Sequence, residues 1–499
     1  MSHRHLLASL RLASFGKAPL VWFVLALVAS SSALGETARA SDETPRADTA
    51  ASGASSDVLA LSDVVRSVEQ RFPSILAAEQ DRIAAEGERL AAAGGFDPSW
   101  RSTGVATPIG GYPSGRFDTV VEQPLPFWGS SVFAGYRLGL GEFAVYDGKL
   151  ATNRYGEVRA GARINLLRDG PIDRRRASIQ RSEIGVDVAA RGVDQQRLDA
   201  VRLASFRYWD WVGAGRKVAL ARAWLELART RNAGLAKRVE TGDLADMERQ
   251  DNQRSILQRT ASVISAERAL EQAAIELSMY LRTESGAVVL PRASQVPTQI
   301  PEPAAFDPAR LAEAERLAIE RRPDLARLEL QRQQAEVEER FATNQQRPAI
   351  DVVIMGAKDL GPGDPKLDKP VVEAGVMIDI PILNRTATGR ARAASAQVGR
   401  IDAQAKLMRD RVVADVRNAV SALVAASERV RTTRAEVDMA QSLAMQEAKR
   451  LDLGEGNVLL VNLREQAALD ASIRYVDALI DWHKAMAAYR AATASPGEN

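Results

Sequence analysis

Two stretches of about 70 residues constrain this chain most. The first runs from Pro171 to the turn at Thr241-Gly242-Asp243 without an internal proline or a clear helix stop. A near-copy runs from Pro381 to Leu453-Gly454-Glu455-Gly456. As helices rising about 1.5 Å per residue, each is a rod of roughly 100 Å. Helices of globular proteins average about 10–14 residues, so two such rods cannot fold into one compact ball. They predict a long coiled or barrelled structure, which the rest of the chain caps and joins.

The remainder of the chain shows the same duplication. Helical periodicity begins near Leu59, with Leu61, Val64, Val65 and Val68, breaks at Pro73 and resumes to Gly94-Gly95. At an offset of 250, Arg71, Pro73, Ala85, Glu86 and Glu88 meet Arg321, Pro323, Ala335, Glu336 and Glu338. Phe96-Asp97-Pro98 ends the first helical part, and the hydrophobic period then falls to two. Val158, Ala160, Ala162, Ile164 and Leu166 alternate with Arg159, Gly161, Arg163 and Asn165, and Val132 to Leu140 offers a similar strand. In the second copy Val372, Ala374, Val376, Ile378 and Ile380 alternate with Glu373, Gly375, Met377 and Asp379, across a loop from a partner at 349–357. Strands of about ten residues with one apolar and one charged face suit a barrel wall between lipid and water. An ordinary soluble sheet with one wet face alternates in the same way. Trp100, Phe117, Phe127, Trp128, Phe133, Tyr136, Phe143, Tyr146 and Tyr155 crowd the first β segment as an interfacial girdle would, whereas the second has no aromatic residue. The first segment is longer by about forty residues, which predicts an extra hairpin or a long loop there.

Lys237-Arg238-Val239-Glu240-Thr241-Gly242 aligns with Lys449-Arg450-Leu451-Asp452-Leu453-Gly454. Glycine provides the left-handed cap, and the basic residues suit the negative end of the helix dipole. Returning helices are predicted from Met247 to about Leu281 and from Leu459 to about Ala492. Five prolines between 291 and 308 mark an extended linker.

At the N-terminus, a basic segment ending at Lys17, an apolar run over 18–29 and Ala38-Arg39-Ala40 predict a cleaved secretory signal. The alternative, a membrane-anchoring helix, meets a run short for a span. After residue 40 no apolar stretch is long enough to cross a bilayer as a helix, so any crossing requires a closed β-barrel. Residues 1–40 hold four of the 66 basic and one of the 64 acidic residues, leaving a remainder with net charge −1. Such a chain offers no footprint for nucleic acid.

Catalytic motifs are missing. Cysteine is absent, and the histidines are His3, His5 and His483. There is no G-x-x-x-x-G-K-[ST] or H-E-x-x-H motif, and Gly111-Tyr112-Pro113-Ser114-Gly115 has its serine misplaced for a nucleophile elbow. No enzyme activity, metal site or cofactor is expected, and His483 is expected to be a packed or exposed helical side chain.

Behind a signal peptide, the duplicated order of helix, β segment, very long helix, glycine turn and returning helix resembles the TolC family of outer-membrane efflux proteins. The resemblance covers nearly all of residues 59 to 493. It is carried by Phe96-Asp97-Pro98, the exits Asn165-Leu166-Leu167-Arg168-Asp169-Gly170 and Asp379-Ile380-Pro381-Ile382-Leu383-Asn384-Arg385, the two turns, and the segments 246–253 and 458–466 after them. It implies a mainly α fold with a transmembrane β part. In a homotrimer, a periplasmic α-helical barrel would join a shared β-barrel embedded in outer-membrane lipid. It implies a passive channel of a tripartite efflux or secretion system, working with a periplasmic adaptor (membrane fusion) protein and an inner-membrane pump. Arg238, Gly242, Arg450 and Gly454 would then form the periplasmic tip where the adaptor docks. Asp243, Asp246, Glu248 and Glu455 are the candidate gate acids. Val239 and Leu451 stand where many members carry an aromatic. The competing reading is a soluble periplasmic coiled-coil adaptor or scaffold, although an adaptor normally has one helical hairpin flanked by small β domains.

The predicted organisation is a signal peptide at 1–40, a disordered segment at 41–58, and a first repeat with helix at 59–95, β segment at 96–170 and helical hairpin at 171–283. A linker at 284–310 leads to the second repeat, with helix at 311–347, β segment at 348–381 and helical hairpin at 382–494.

Overall fold

A computed structural model of the protein describes residues 58–144, 150–304 and 306–495. The predicted signal peptide, Tyr146 and all but the last residue of the predicted disordered segment lie outside these residues. The same element order occurs twice. The first pass has α1 (Leu61–Arg71), α2 (Pro73–Ala93), β1 (Ser99–Thr107), β2 (Ser114–Pro124), β3 (Ser131–Gly141), β4 (Glu157–Asn165), α3 (Arg174–Glu240) and α4 (Asp246–Ser278). The second has α5 (Leu311–Arg321), α6 (Pro323–Asn344), β5 (Ala349–Asp359), β6 (Val371–Asp379), α7 (Arg385–Asp452) and α8 (Val458–Ala492).

Local chemistry sets the boundaries. A residue before proline is pushed out of the helical region. Phe72 and Arg322 are accordingly extended, at φ −75°, ψ 125° and φ −64°, ψ 123°, and each separates a short helix from one that starts on proline. The first rod starts three residues later than the sequence predicts. The Asp173 side chain accepts a 2.8 Å hydrogen bond from the Arg176 N–H and so caps α3, leaving Pro171 in the preceding turn. The second rod likewise starts at Arg385, beyond Pro381. The rods are 67 and 68 residues long.

Beside the sheet the helices lie in the order α2, α3, α6, α7; toward the far turns the order becomes α4, α3, α8, α7. The largest core marks this change of partners. Tyr208, Trp209, Trp211 and Val212 of α3 pack against Val64 and Val68 of α1, Leu270 and Leu277 of α4, and Val476 and Ile480 of α8. The buried Tyr208 hydroxyl donates to the Leu59 carbonyl at 3.0 Å, so its polar end is satisfied. At Gly213 a Cβ atom would stand 2.8 Å from the Ile480 side chain, so α3 and α8 approach there as only glycine permits.

All six strands form one antiparallel sheet in the order β1 to β6. The β4–β5 ladder, with Ala160 opposite Gly356, joins the two copies. The first β segment holds four strands and the second two, so its surplus length is a full hairpin within the sheet. The register sorts the side chains into two faces, since directly opposed residues share a face. One face carries Trp100, Phe117, Val121, Tyr136, Leu138, Val158, Ile164, Ile354, Val376 and Ile378, and its only charged residue is Lys358. The other carries Arg101, Asp118, Arg137, Arg159, Asp351, Glu373 and Asp379, with Arg159 paired to Asp118 at 2.6 Å.

A soluble sheet would bury the apolar face against a core. Here Trp100 is 74% exposed, Val372 78% and Val376 65%. Exposed aromatic residues stand at both ends of the sheet, with Trp100, Phe127 and Trp128 toward the helices and Tyr112 and Tyr155 at the far loops. Phe133 departs from the predicted girdle: its register puts it opposite Glu122, on the polar face. No helix among the described residues is long and apolar enough to cross a membrane.

Candidate functional site

The two glycine turns lie at the ends of the rods remote from the sheet, and they have the same geometry. The Gly242 N–H bonds to the Val239 carbonyl at 3.1 Å, and the Asp243 N–H to the Arg238 carbonyl at 2.9 Å. In the second turn the Gly454 N–H bonds to Leu451 at 3.1 Å and the Glu455 N–H to Arg450 at 2.9 Å. Each is a Schellman cap that satisfies the last carbonyls of its rod. It requires the left-handed backbone that Gly242 (φ +82°) and Gly454 (φ +81°) supply. Beyond the adjoining residues no heavy atom lies within 4 Å of a Cβ built at either glycine, so conformation, not crowding, selects glycine here.

The turns are fastened to each other. Arg238 donates through Nη1 to the Leu451 carbonyl at 3.3 Å. The Glu248 carboxylate accepts from the Val458 N–H at 2.8 Å, and Asn462 donates to Asp251 at 3.4 Å. Beneath these bonds Leu235 of α3 packs with Leu451, Val458 and Val461 of the second hairpin. The two arginines that align in sequence thus act differently. Arg238 crosses to the second turn, whereas Arg450 stays on its own, bonding Glu447 at 3.3 Å and the Glu455 carbonyl at 3.3 Å.

The four candidate acids also separate. Only Glu248 reaches across, where it caps the positive N-terminus of α8 beside the N-cap Asn457. Asp243 accepts from the Thr241 hydroxyl at 2.7 Å within its own turn. Asp246 is bound by Arg249 at 2.8 Å and Gln250 at 2.6 Å, and the Arg249 hydrogen bond leads in holding its carboxyl below the usual range. Glu455 is exposed beside Gly454.

One element of the tip region does not emerge from the motifs. The Glu465 carboxylate, 2% exposed, is held between Arg231 of α3 and Arg259 of α4, the latter at 2.8 Å. Arg259 also donates to the Trp224 carbonyl at 2.6 Å, and Arg231 to Asn462 at 3.1 Å. A signal was present: Arg259 falls on the stripe Ile256, Val263 and Glu465 on the stripe Val458, Val461, Ala468, where helical spacing calls for apolar residues. Charges on a buried stripe must meet partners.

His483 is a packed side chain on α8. It stacks on Trp209 with ring centroids 3.8 Å apart, and its Nε2 lies 2.9 Å from the Pro301 carbonyl. Burial pushes its pKa down to about 4. Among the described residues no cluster of His, Cys, Asp and Glu is arranged to hold a metal ion.

Comparison of the sequence with curated proteins gives no match. Among solved structures, the outer membrane protein VceC of Vibrio cholerae is similar with a TM-score of 0.63 at 13% identity, over 87% of this chain and 95% of that one. A membrane protein of Pseudomonas aeruginosa gives 0.62 at 16% identity, over 88% and 93%. The outer-membrane channel OprN gives 0.61 at 16% identity, over 87% and 90%. The family described as Outer membrane efflux protein matches residues 315–495. Residues 315–495 are thus similar to the outer membrane efflux protein family, and the described chain as a whole has the TolC-like fold of the outer-membrane channels.

Proposed function

We propose that this protein is the outer-membrane exit duct of a tripartite efflux or secretion system. In this reading three copies close one β-barrel in the membrane, and their rods form a tunnel through the periplasm. The observation that carries it is the six-stranded sheet with an uncovered apolar face at one end of rods of roughly 100 Å. Strands of 9 to 11 residues match the length needed to cross a bilayer at a tilt. The charged face would then line the water-filled bore. The duct itself is passive, and an inner-membrane pump supplies the energy. A periplasmic adaptor docks at the turns around Gly242 and Gly454, with Arg238, Arg450 and the acids Asp243, Asp246, Glu248 and Glu455 in or beside the contact.

An adaptor or scaffold that never enters a membrane would have no use for an exposed apolar sheet. Fractionation separates the two readings. A heat-modifiable trimer extracted from the outer membrane by detergent, conducting in planar bilayers, is expected. A soluble periplasmic monomer would sink the duct, as would a deletion strain with unaltered export and sensitivity.

A further inference from the structure

The sheet has six strands, two more than a chain with one hairpin per repeat would have. Its outer strands β1 and β6 pair on one side only, and all nine residues of each are exposed. Soluble proteins protect such edges with proline, bulges or inward charges, and lipid tolerates no open edge at all. Neither strand contains proline. Resting on the trimeric duct proposed above, we propose that β1 of each copy pairs with β6 of the next, and that the barrel wall has eighteen strands.

Three observations fit this occupant. The strand count per chain is even, so β6 and the neighbouring β1 run antiparallel and the ladder closes without a parallel seam. The two edges are complementary. Each has nine residues, and on the polar face β1 carries Arg101 and β6 carries Asp379, both at the end of the sheet nearest the helices; Asp379 also holds Arg168 of its own chain at 2.9 Å. Directly after β6, Ile380, Ile382 and Leu383 are exposed, with Ile382 at 96%, an apolar strip that a neighbouring copy would cover.

The perimeter agrees. Beside the sheet each chain contributes four helices, α2, α3, α6 and α7. Twelve helices packed about 8–10 Å apart make a ring of roughly 100–120 Å. Eighteen strands spaced about 4.8 Å and tilted by about 35–45° make roughly 105–120 Å. Twelve strands would make only about 70–80 Å on the same spacing and tilt. Eighteen strands continue the helical ring without a constriction at the membrane boundary, and they place the wall in the range of barrels with an open aqueous channel.

The chain has no cysteine of its own, which makes the seam testable by paired substitution. Arg101→Cys in β1 is combined in turn with Gly375→Cys, Met377→Cys or Asp379→Cys in β6, and oxidised in the outer membrane. Opposed residues of an antiparallel pair lie within disulfide range. Phe133→Cys in β3 replaces Arg101→Cys in a second series, which reports a twelve-strand wall from which β1 and β2 are excluded. Covalent trimers in the first series and none in the second are expected, with eighteen strands in a cryo-electron microscopy map of the detergent-extracted protein. Cross-linking through Phe133→Cys, or a trimer whose map shows another strand count, overturns the eighteen-strand wall and leaves the trimeric duct standing. A particle that is not a trimer overturns both.

Discussion

Glu248, in the first turn of α4, accepts a 2.8 Å hydrogen bond from the backbone N–H of Val458, the first residue of α8. An acid from one hairpin thereby caps a helix of the other. A charge-assisted hydrogen bond of this kind contributes about 1.5–3 kcal/mol. If the far ends of the rods form the narrow part of a duct, this bond helps hold them together. Glu248→Ala is expected to raise single-channel conductance in planar bilayers, with Glu248→Gln intermediate. Conductance equal to that of the unaltered protein in both variants would remove Glu248 from the closure.

The glycine turns make a different prediction, because strain and crowding separate there. A non-glycine residue in the left-handed region costs roughly 1–2 kcal/mol, and asparagine is the best tolerated replacement. With no atom beyond the adjoining residues near either Cβ position, Gly242→Val and Gly454→Val are expected to weaken adaptor capture while the heat-modifiable barrel persists. Gly242→Asn is expected to recover most of that capture. Undiminished capture and export in the double valine variant would count against docking at the turns.

Glu465 supports two buried arginines. Removing one member of a buried ion pair costs about 3–5 kcal/mol, whereas replacing the whole set by apolar residues is often neutral. Glu465→Gln is expected to lower the melting temperature of the detergent-solubilised protein markedly. Glu465→Leu combined with Arg231→Met and Arg259→Met is expected to restore most of it. A Glu465→Gln protein that melts with the parent would show that the network contributes little.

His483 predicts a pH window. Its pKa is about 4 in the folded protein against the ordinary value of 6.5, so the unfolded chain binds the extra proton first. The stability that this provides is complete above about pH 6.5 and is lost as pH falls toward 4, by roughly 1–3 kcal/mol. The ring faces Trp209, Trp482, the Pro301 carbonyl and Arg490, and among the described residues no acid raises its pKa. A pH series of melting temperatures should show a drop in this window that His483→Phe reduces. Parallel curves for the two proteins would contradict it.

The helices were legible because their signals are local. Pro73 and Pro323 break a helix by their own backbone chemistry, and Gly242 and Gly454 end one by theirs. The start of α3 was displaced from Pro171 to Arg174 because the hydrogen bond from the Arg176 N–H to Asp173, not the proline, opens the helix. In the first β segment β3 was legible from Val132 to Leu140, whereas β2 showed only as surplus length. Thr119 and Gln123 on the apolar face of β2, and Val120 and Phe133 on the polar face of β2 and β3, dilute the alternation that marks β4 and β6.

The site divides along the same line. Sequence placed Arg238 and Arg450, and Asp243, Asp246, Glu248 and Glu455, near two equivalent turns, since duplication and helix-ending chemistry are written in neighbouring residues. It could not separate Arg238, which crosses to the Leu451 carbonyl, from Arg450, which bonds its own hairpin. Nor could it show Glu465 meeting Arg231 and Arg259, residues more than 200 positions away. By itself the sequence determined the repeated rods, the turns that cap them and the two-faced strands, because propensity, capping and period act over a few residues. Only the tertiary structure decided which turn residues clamp, where buried charges find partners, and that six strands share one sheet with its apolar face uncovered. Those outcomes depend on which distant segments pack together, and a one-residue change of register would reverse the faces.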